Sequence, residues 1–495
     1  MDTRTSQPDP KGGDRNRLRK PLGSSSGSSQ PFPQRGSIGA EEYAAVGALF
    51  ERAIREGSAP GYNGEEETRY CEEFAAFMGG GYTDAVSSGT AGLYVALKAL
   101  DLEPFSEVIV GAVTDPGGMM PIPLLNLIPM VADTAPESYN TGPEQVEALI
   151  SPRTAAIVVP HIGGEPADVE GIMAVAGKYH VPVIEDCSQT HGATLHGRLV
   201  GTFGQIGVFS TMFSKHHSSG GQGGLVYTRD ESLHHAIRRA SDRGKPFFLP
   251  DGSTNVTASL NLNLNDLAAA IGRVQLRKLP EQVRRRRRLV GQLSEGIASL
   301  KTVSIPRPLA GAEPSFLFLR MRFHADQAAA GGPMVADEYT GAEIPRCARN
   351  DSGSPIPHCA RNDSGLPIPR CARNDRGPSA YTWGDKETYC QALSAEGLPV
   401  GADYRYALPH TMDWFVNRRV FGHSGYPWAS PDYKGDPQLQ FPCPNAHAAM
   451  EHYFNLYLHE RWGQDEIADA IAIFTKVERM GTAMALGQQE SEHDR

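Results

Sequence analysis

Between Val183 and Gly224 the chain reads VIEDCSQTHGATLHGRLVGTFGQIGVFSTMFSKHHSSGGQGG. One apolar run (Val181, Val183, Ile184) ends in the acid pair Glu185–Asp186, and a second (Ile206–Phe209) ends at Ser210. Lys215 follows, and then small residues and glycines. Each run is short, apolar and closed by polar residues, which is how a buried strand reads. The pattern therefore sets an acid at the end of one strand and a lysine just past another. Lys215 alone could be a surface lysine and Asp186 a turn cap, so the rest of the chain bears on one question: whether it builds a pocket around both.

The flanking sequence supplies such a fold. EVIVGAV, IPMVAD, AAIVVPHIGG and VPVIED read as buried strands. GPEQVEALI and VEGIMAVAGKYH, lying between them, read as helices. Apolar strands interleaved with helices predict an α/β fold, with a mostly parallel sheet covered by helices on both faces. In open sheets of this kind ligands sit at the carboxyl ends of strands. Gly89, His161, Asp186 and Ser210 all fall at predicted strand ends. Upstream, Ala85–Val86 reads as a strand running into Ser87-Ser88-Gly89-Thr90 and then a helix. A helix start of this kind presents free backbone N–H groups and a positive dipole end, which suits a phosphate and equally suits a simple helix cap.

Residues 1–40, rich in Ser, Gly and Pro, read as a disordered extension. Residues 41–300 read as the large domain. The chain from 301 to 495 reads as a smaller C-terminal α/β domain, interrupted at 341–379 by a segment that includes IPRCARNDSGSP, IPHCARNDSGLP and IPRCARNDRGPS. That repeat has no apolar face and reads as a disordered, dispensable insertion. The net charge of −10 argues against a nucleic-acid partner, and the basic run Arg284–Arg288 reads as a solvated helix face. The 7 cysteines include no close pair, so neither a disulfide framework nor a metal site is expected. The apolar runs are too short to cross a membrane, the N-terminus has no signal-peptide core, and a reducing, cytoplasmic setting is expected.

Pyridoxal 5'-phosphate needs an amine for a Schiff base, a carboxylate at its pyridine nitrogen and small donors at its phosphate. Lys215, Asp186 and the group Gly89, Thr90 and Ser210 offer those three things. The Val183–Gly224 stretch also resembles the core of the DegT/StrS family of nucleotide-sugar aminotransferases. The likeness extends through VSSGTAGLYVALKAL, the SPRTAAIVVPHIGGEPADVEGIMAVAGKYHVPVIED block and NLNDLAAAIGRVQLRKL, and more loosely through ALSAEGLPVGADYRYALPH.

The resemblance implies the aspartate-aminotransferase fold, a pyridoxal phosphate cofactor and a homodimer with sites at the interface. Lys215 would bond the cofactor and shuttle a proton. Asp186 would pair with the ring nitrogen, and Gln189 would contact the ring hydroxyl side. Gly89, Thr90 and Ser210 would hold the phosphate, joined by Asn261 from the partner subunit. The implied reaction moves an amino group from glutamate or glutamine to a keto group of a nucleotide-linked sugar or a cyclitol. The family's sugar dehydratases carry histidine at the lysine position, so Lys215 disfavours that activity; a non-catalytic regulator on the same fold is the other alternative. Two positions depart from the family. Asp115 stands where an aromatic ring stacks on the cofactor, and Asn261-Leu262-Asn263 lacks the usual arginine. His161 and His191 are each read as a substrate contact or as a structural histidine.

Overall fold

Short polar side chains set four of the helix starts that matter here. In a computed structural model, which describes residues 32–325 and 385–493, Ser88 Oγ accepts from Ala91 N, and Asp168, Asp230 and Asn265 each accept from the amide three residues on. Each bond satisfies an amide that has no partner inside its helix. The helices that matter here are α1 (Ala40–Glu56), α2 (Glu65–Phe77), α3 (Gly89–Ala99), α4 (Val169–Tyr179), α5 (Glu231–Ser241) and α6 (Asp266–Ile297).

The strands are β1 (Tyr82–Val86), β2 (Glu107–Gly111), β3 (Ile128–Ala132), β4 (Thr154–Pro160), β5 (Val183–Asp186), β6 (Ile206–Ser210) and β7 (Gly224–Thr228). They form one sheet in the order β1-β7-β6-β5-β4-β2-β3. Only β7 runs against its neighbours; β6, β5, β4, β2 and β3 pair in parallel. Strands β2, β3, β5 and β6 are buried along their whole length, as a sheet covered on both faces requires. One buried cluster gathers Ile109, Val158, Ile184 and Val208 with side chains of α3 and α4; another packs Phe209 and Leu225 against Tyr70 and Phe74 of α2 and Leu279 of α6. Each such aliphatic residue removed from water contributes about 2 kcal/mol. The Ile184↔Ile206 and Asp186↔Val208 register sets the ends of β5 and β6 beside each other.

A smaller antiparallel sheet carries Val303–Ser304, Leu319–Phe323, Tyr453–Leu456 and Val400–Gly401. The crossing from the large body to this sheet runs through Ser315-Phe316-Leu317, where Phe316 takes a left-handed φ of 52°. Such a backbone costs a bulky residue roughly 1–2 kcal/mol and needs support from its surroundings.

Three sequence expectations change. First, residues 32–39 are part of the packed structure rather than an extension. Phe32 sits 4.6 Å from Trp462 between ring centroids, and Ser37 Oγ donates to Gln275 at 2.7 Å. Second, the boundary near residue 300 does not hold for the whole C-terminal part. Tyr404, Leu408, Phe415, Trp428 and Met450 are buried in the same core as the large sheet, because the apolar side chains of this later segment leave water there. Third, the run Arg284–Arg288 is not a solvated face throughout. Arg284 and Arg288 pair with Glu281 at the surface, but Arg286 is fully buried, and Arg285 and Arg287 donate to the Trp462 and Pro314 carbonyls. Five consecutive positions sweep more than one turn of helix, so they cannot all face water. The repeat at 341–379 lies outside the described residues. No described helix is long and apolar enough to cross a membrane.

Candidate active site

The carboxyl ends of β4, β5 and β6 and the start of α3 open on a cavity of about 200 Å³. Gly89, Thr90, Asp186, Gln189, Ser210 and Lys215, drawn from separate stretches of sequence, all line it. Ser88, Asp115, His161, Ser188 and Gln222 complete much of the wall. Asn261 is not in this chain's cavity: its Oδ1 accepts from Asn263 Nδ2 at 2.6 Å, and its backbone bridges to Asp242.

Asp186 closes β5 and is buried, with the Ser188 amide donating to its Oδ1 at 3.0 Å. Burial pushes its carboxyl up from the usual range; the Ser188 bonds and the nearby Lys215 pull it down again. Lys215 follows a turn closed by its own amide on the Met212 carbonyl, 2.9 Å away. It keeps part of its surface open to the cavity but is closely ringed by protein. Desolvation therefore lowers its ammonium below the usual range, while Asp186 and Asp115 raise it. Desolvation of this kind favours a lysine's uncharged form.

At the start of α3 the cavity narrows. A Cβ on Gly89 would lie 2.7 Å from Ser210 Cβ and 3.1 Å from Ser188 Oγ, so only glycine allows the helix start to approach β6 so closely. That cradle of backbone N–H and hydroxyl groups suits a phosphate. The buried carboxylate and the lowered lysine suit a ring nitrogen and an aldehyde. The donor set thus fits pyridoxal phosphate at its aldehyde, ring-nitrogen and phosphate positions, with Asp115 in place of a stacking ring.

Gln189 is fixed by two partners. Its Oε1 accepts from the Gly163 amide at 2.9 Å, and its Nε2 donates to Tyr404 Oη at 3.2 Å. Tyr404 lies far along the chain, inside the loosely similar stretch ALSAEGLPVGADYRYALPH, where nothing local points to Gln189. Ser88, within the quoted helix start, caps α3, one of the two uses the sequence offered there, and also lines the cavity.

His161 also lines the cavity, and both its ring nitrogens are engaged. Nδ1 accepts from the Ala167 amide at 2.9 Å, which leaves Nε2–H to face Glu185 at 3.2 Å. Glu185 further accepts from the amides of Gly201, Phe203 and Gly204 at 2.6, 2.7 and 2.7 Å. His161, Glu185 and Cys187 stand close enough to suggest a metal centre, but these bonds already occupy the carboxylate. His191 sits behind the cavity, stacked 5.9 Å from His216. The histidines after the lysine bind backbone: His216 Nε2 donates to the Ser315 carbonyl and His217 Nε2 to that of Gly272, each at 3.0 Å. Burial lowers both rings, His217 to about 4.

At the departure noted in the sequence, Asp115 faces the cavity and its Oδ1 caps the Pro116–Gly118 turn by accepting from Gly117 N at 2.9 Å. The preceding Thr114 amide donates to the Ala407 carbonyl at 2.8 Å, which brings the Tyr404–Tyr406 ring pair alongside.

This arrangement is that of a fold-type shared by pyridoxal-phosphate aminotransferases. An aminotransferase from Psychrobacter cryohalolentis superposes with a TM-score of 0.70 at 23% identity, covering 90% of this chain and 98% of its own. The DegT/DnrJ/EryC1/StrS aminotransferase family matches residues 48–330, and the chain belongs to that family. It is 38% identical over 250 residues to the L-glutamine:2-deoxy-scyllo-inosose aminotransferase of Micromonospora echinospora, an alignment covering 48% of this chain and 59% of that protein. It is 34% identical over 257 residues to a UDP-N-acetyl-3-dehydro-alpha-D-glucosamine 3-aminotransferase of Acidithiobacillus ferrooxidans, covering 52% and 68%. The chain thus spans about three-fifths of the length of the inosose enzyme.

Proposed function

We propose that this protein is a pyridoxal-phosphate aminotransferase that moves an amino group from glutamine or glutamate to the keto group of a cyclitol or a nucleotide-linked sugar. The observation that carries the reading is the convergence of Lys215, Asp186 and the Gly89–Ser210 cradle on one cavity. The named activities of the inosose and UDP-sugar relatives support the choice of donor and acceptor. Lys215 disfavours the dehydratase alternative, and an intact lysine–aspartate pair disfavours a non-catalytic regulator.

Lys215 would hold the cofactor covalently through Nζ, and Asp186 would keep its ring nitrogen protonated. Gln189, oriented by Gly163 and Tyr404, would meet the ring hydroxyl side. Gly89, Thr90 and Ser210 would seat the phosphate, and Asn261 from a second copy would reach it in a homodimer. When bound, the cofactor supplies the electron sink that lets an amino acid give up its α-proton. Lys215 Nζ would carry that proton, a task that requires the uncharged amine. Burial favours the uncharged form, whereas Asp186 and Asp115 favour the charged one. We place the protein in the cytoplasm, where its thiols stay reduced; Cys71, Cys187, Cys390 and Cys443 are free, and burial pushes up all four.

An absorbance spectrum tests this. Protein loaded with pyridoxal phosphate should show a near-visible band that shifts when glutamine or glutamate is added. A protein that takes up no pyridoxal phosphate would refute the reading.

A further inference from the structure

The segment 32–37 lies across the back of the site as a strap. Its carbonyls at Pro33 and Gln34 accept from His459 Nε2 at 3.0 Å and Arg461 at 3.2 Å, and Phe32 covers Trp462. From it Arg35 reaches inward. One arm of its guanidinium donates to the carbonyl of Ser214, the residue before Lys215, at 2.9 Å, and the other donates to the carbonyl of Leu317.

Leu317 ends the crossing between the two sheets, and all three crossing carbonyls are gripped by basic side chains. His216 holds that of Ser315, Arg286 holds that of Phe316 at 2.7 Å, and Arg35 holds that of Leu317. The crossing amides are held as well, since Ser315 N and Leu317 N donate to Gly164 and Gly163 at 2.8 Å. Gly163 in turn orients Gln189. Arg286 has Glu460 as its ion partner. Arg35 is half-buried beside that pair; desolvation and the Arg286 charge lower it to about 9. A guanidinium held in this setting is costly unless its fork is used geometrically.

We propose that Arg35 is a positioning residue for Lys215, pinning the lysine loop to the domain crossing through its two-carbonyl fork. The inference rests on the reading of Lys215 as the reacting amine. Its first test is therefore made on the full chain without cofactor, where it stands or falls by itself. Four charged or titratable groups bear on Lys215: Asp186 and Asp115, which raise it, Arg35, which lowers it, and His191 behind it.

Labelling of Lys215 by trinitrobenzenesulfonate is followed against pH by peptide mass spectrometry. Arg35→Met should raise the labelling midpoint by about half a pH unit, because a facing positive charge is gone. Arg35→Lys, which keeps the charge but not the fork, should leave the midpoint near that of the unaltered protein. In the loaded enzyme Arg35→Lys should still lose about 10-fold in kcat with little change in KM for the donor, the signature of a misplaced amine. Ser37→Ala removes a different strap contact and should change neither value.

If Arg35→Met does not fold, Arg35→Gln must show the same rise. An unshifted midpoint in the folded neutral variant overturns the proposal, as does full kcat in Arg35→Lys. An equal shift in Ser37→Ala would assign the effect to the strap's packing and equally overturn it. If the midpoints move as expected but the loaded unaltered protein transfers no amino group, the aminotransferase reading alone fails.

Discussion

Glu185 and Asp186 are neighbours on β5, both buried and both carboxylates, yet their surroundings are opposite. Glu185 points away from the cavity and is fully occupied, accepting from three amides and facing His161. Asp186 points into the cavity with a single backbone partner at Ser188. A buried carboxylate with every oxygen bonded to amides stabilises its fold; one that burial pushes toward neutrality at a cavity wall is placed to meet a ligand. The strand's period of two assigns these roles, one residue to each face.

Four substitutions can break or sharpen that contrast. The largest effect belongs to the partner of the open acid: Lys215→Ala should abolish amino transfer in the loaded enzyme while leaving the circular-dichroism spectrum unchanged, and retained turnover would remove the lysine from its role. Next, Glu185→Gln sets an amide NH₂ against backbone N–H groups whichever way it turns. It should cost about 3 kcal/mol of stability in urea denaturation.

Asp186→Asn should behave oppositely in the cofactor-free protein. Burial raises the folded-state carboxyl above its unfolded value, so its favourable contribution exists at low pH and is lost as pH rises through the folded value. The neutral amide of the variant carries no such penalty. The variant should match the unaltered protein in acid and become the more stable of the two as pH rises toward neutral, while losing activity. A variant less stable at neutral pH would show that Asp186 is structural, like its neighbour. The smallest effect is expected of Asp115→Asn, which removes an acid that raises Lys215. The labelling midpoint of Lys215 should fall, by less than Asp186→Asn lowers it.

Much of this site was legible in the sequence because its members sit at strand ends, where a short apolar run meets polar residues. Asp186, Ser210, His161 and Gly89 could be placed from that rule, while Lys215, five residues past its strand, needed the cofactor's chemistry and the family resemblance; parallel pairing of β5 with β6 sets the Asp186 and Ser210 ends side by side. What escaped was set by contacts between distant segments. The 32–37 strap has the composition of a loose tail, and contacts with distant residues, Trp462, His459, Arg461 and Gln275 among them, hold it down. Tyr404 gives no local signal of contact with Gln189. Arg286 looked like one more surface charge in a basic run, because a run of like charges conceals the one position per turn that faces inward. Nothing in the sequence of the two histidines after Lys215 shows that His216 and His217 grip distant backbone carbonyls, with burial lowering both rings.

The central claim is that Lys215 Nζ is the amine that takes the cofactor. Purified protein incubated with pyridoxal phosphate, reduced with borohydride and digested should carry the pyridoxyl group on the peptide containing Lys215, with Asp186→Asn weakening the uptake. Labelling of another lysine, or none, would contradict the account.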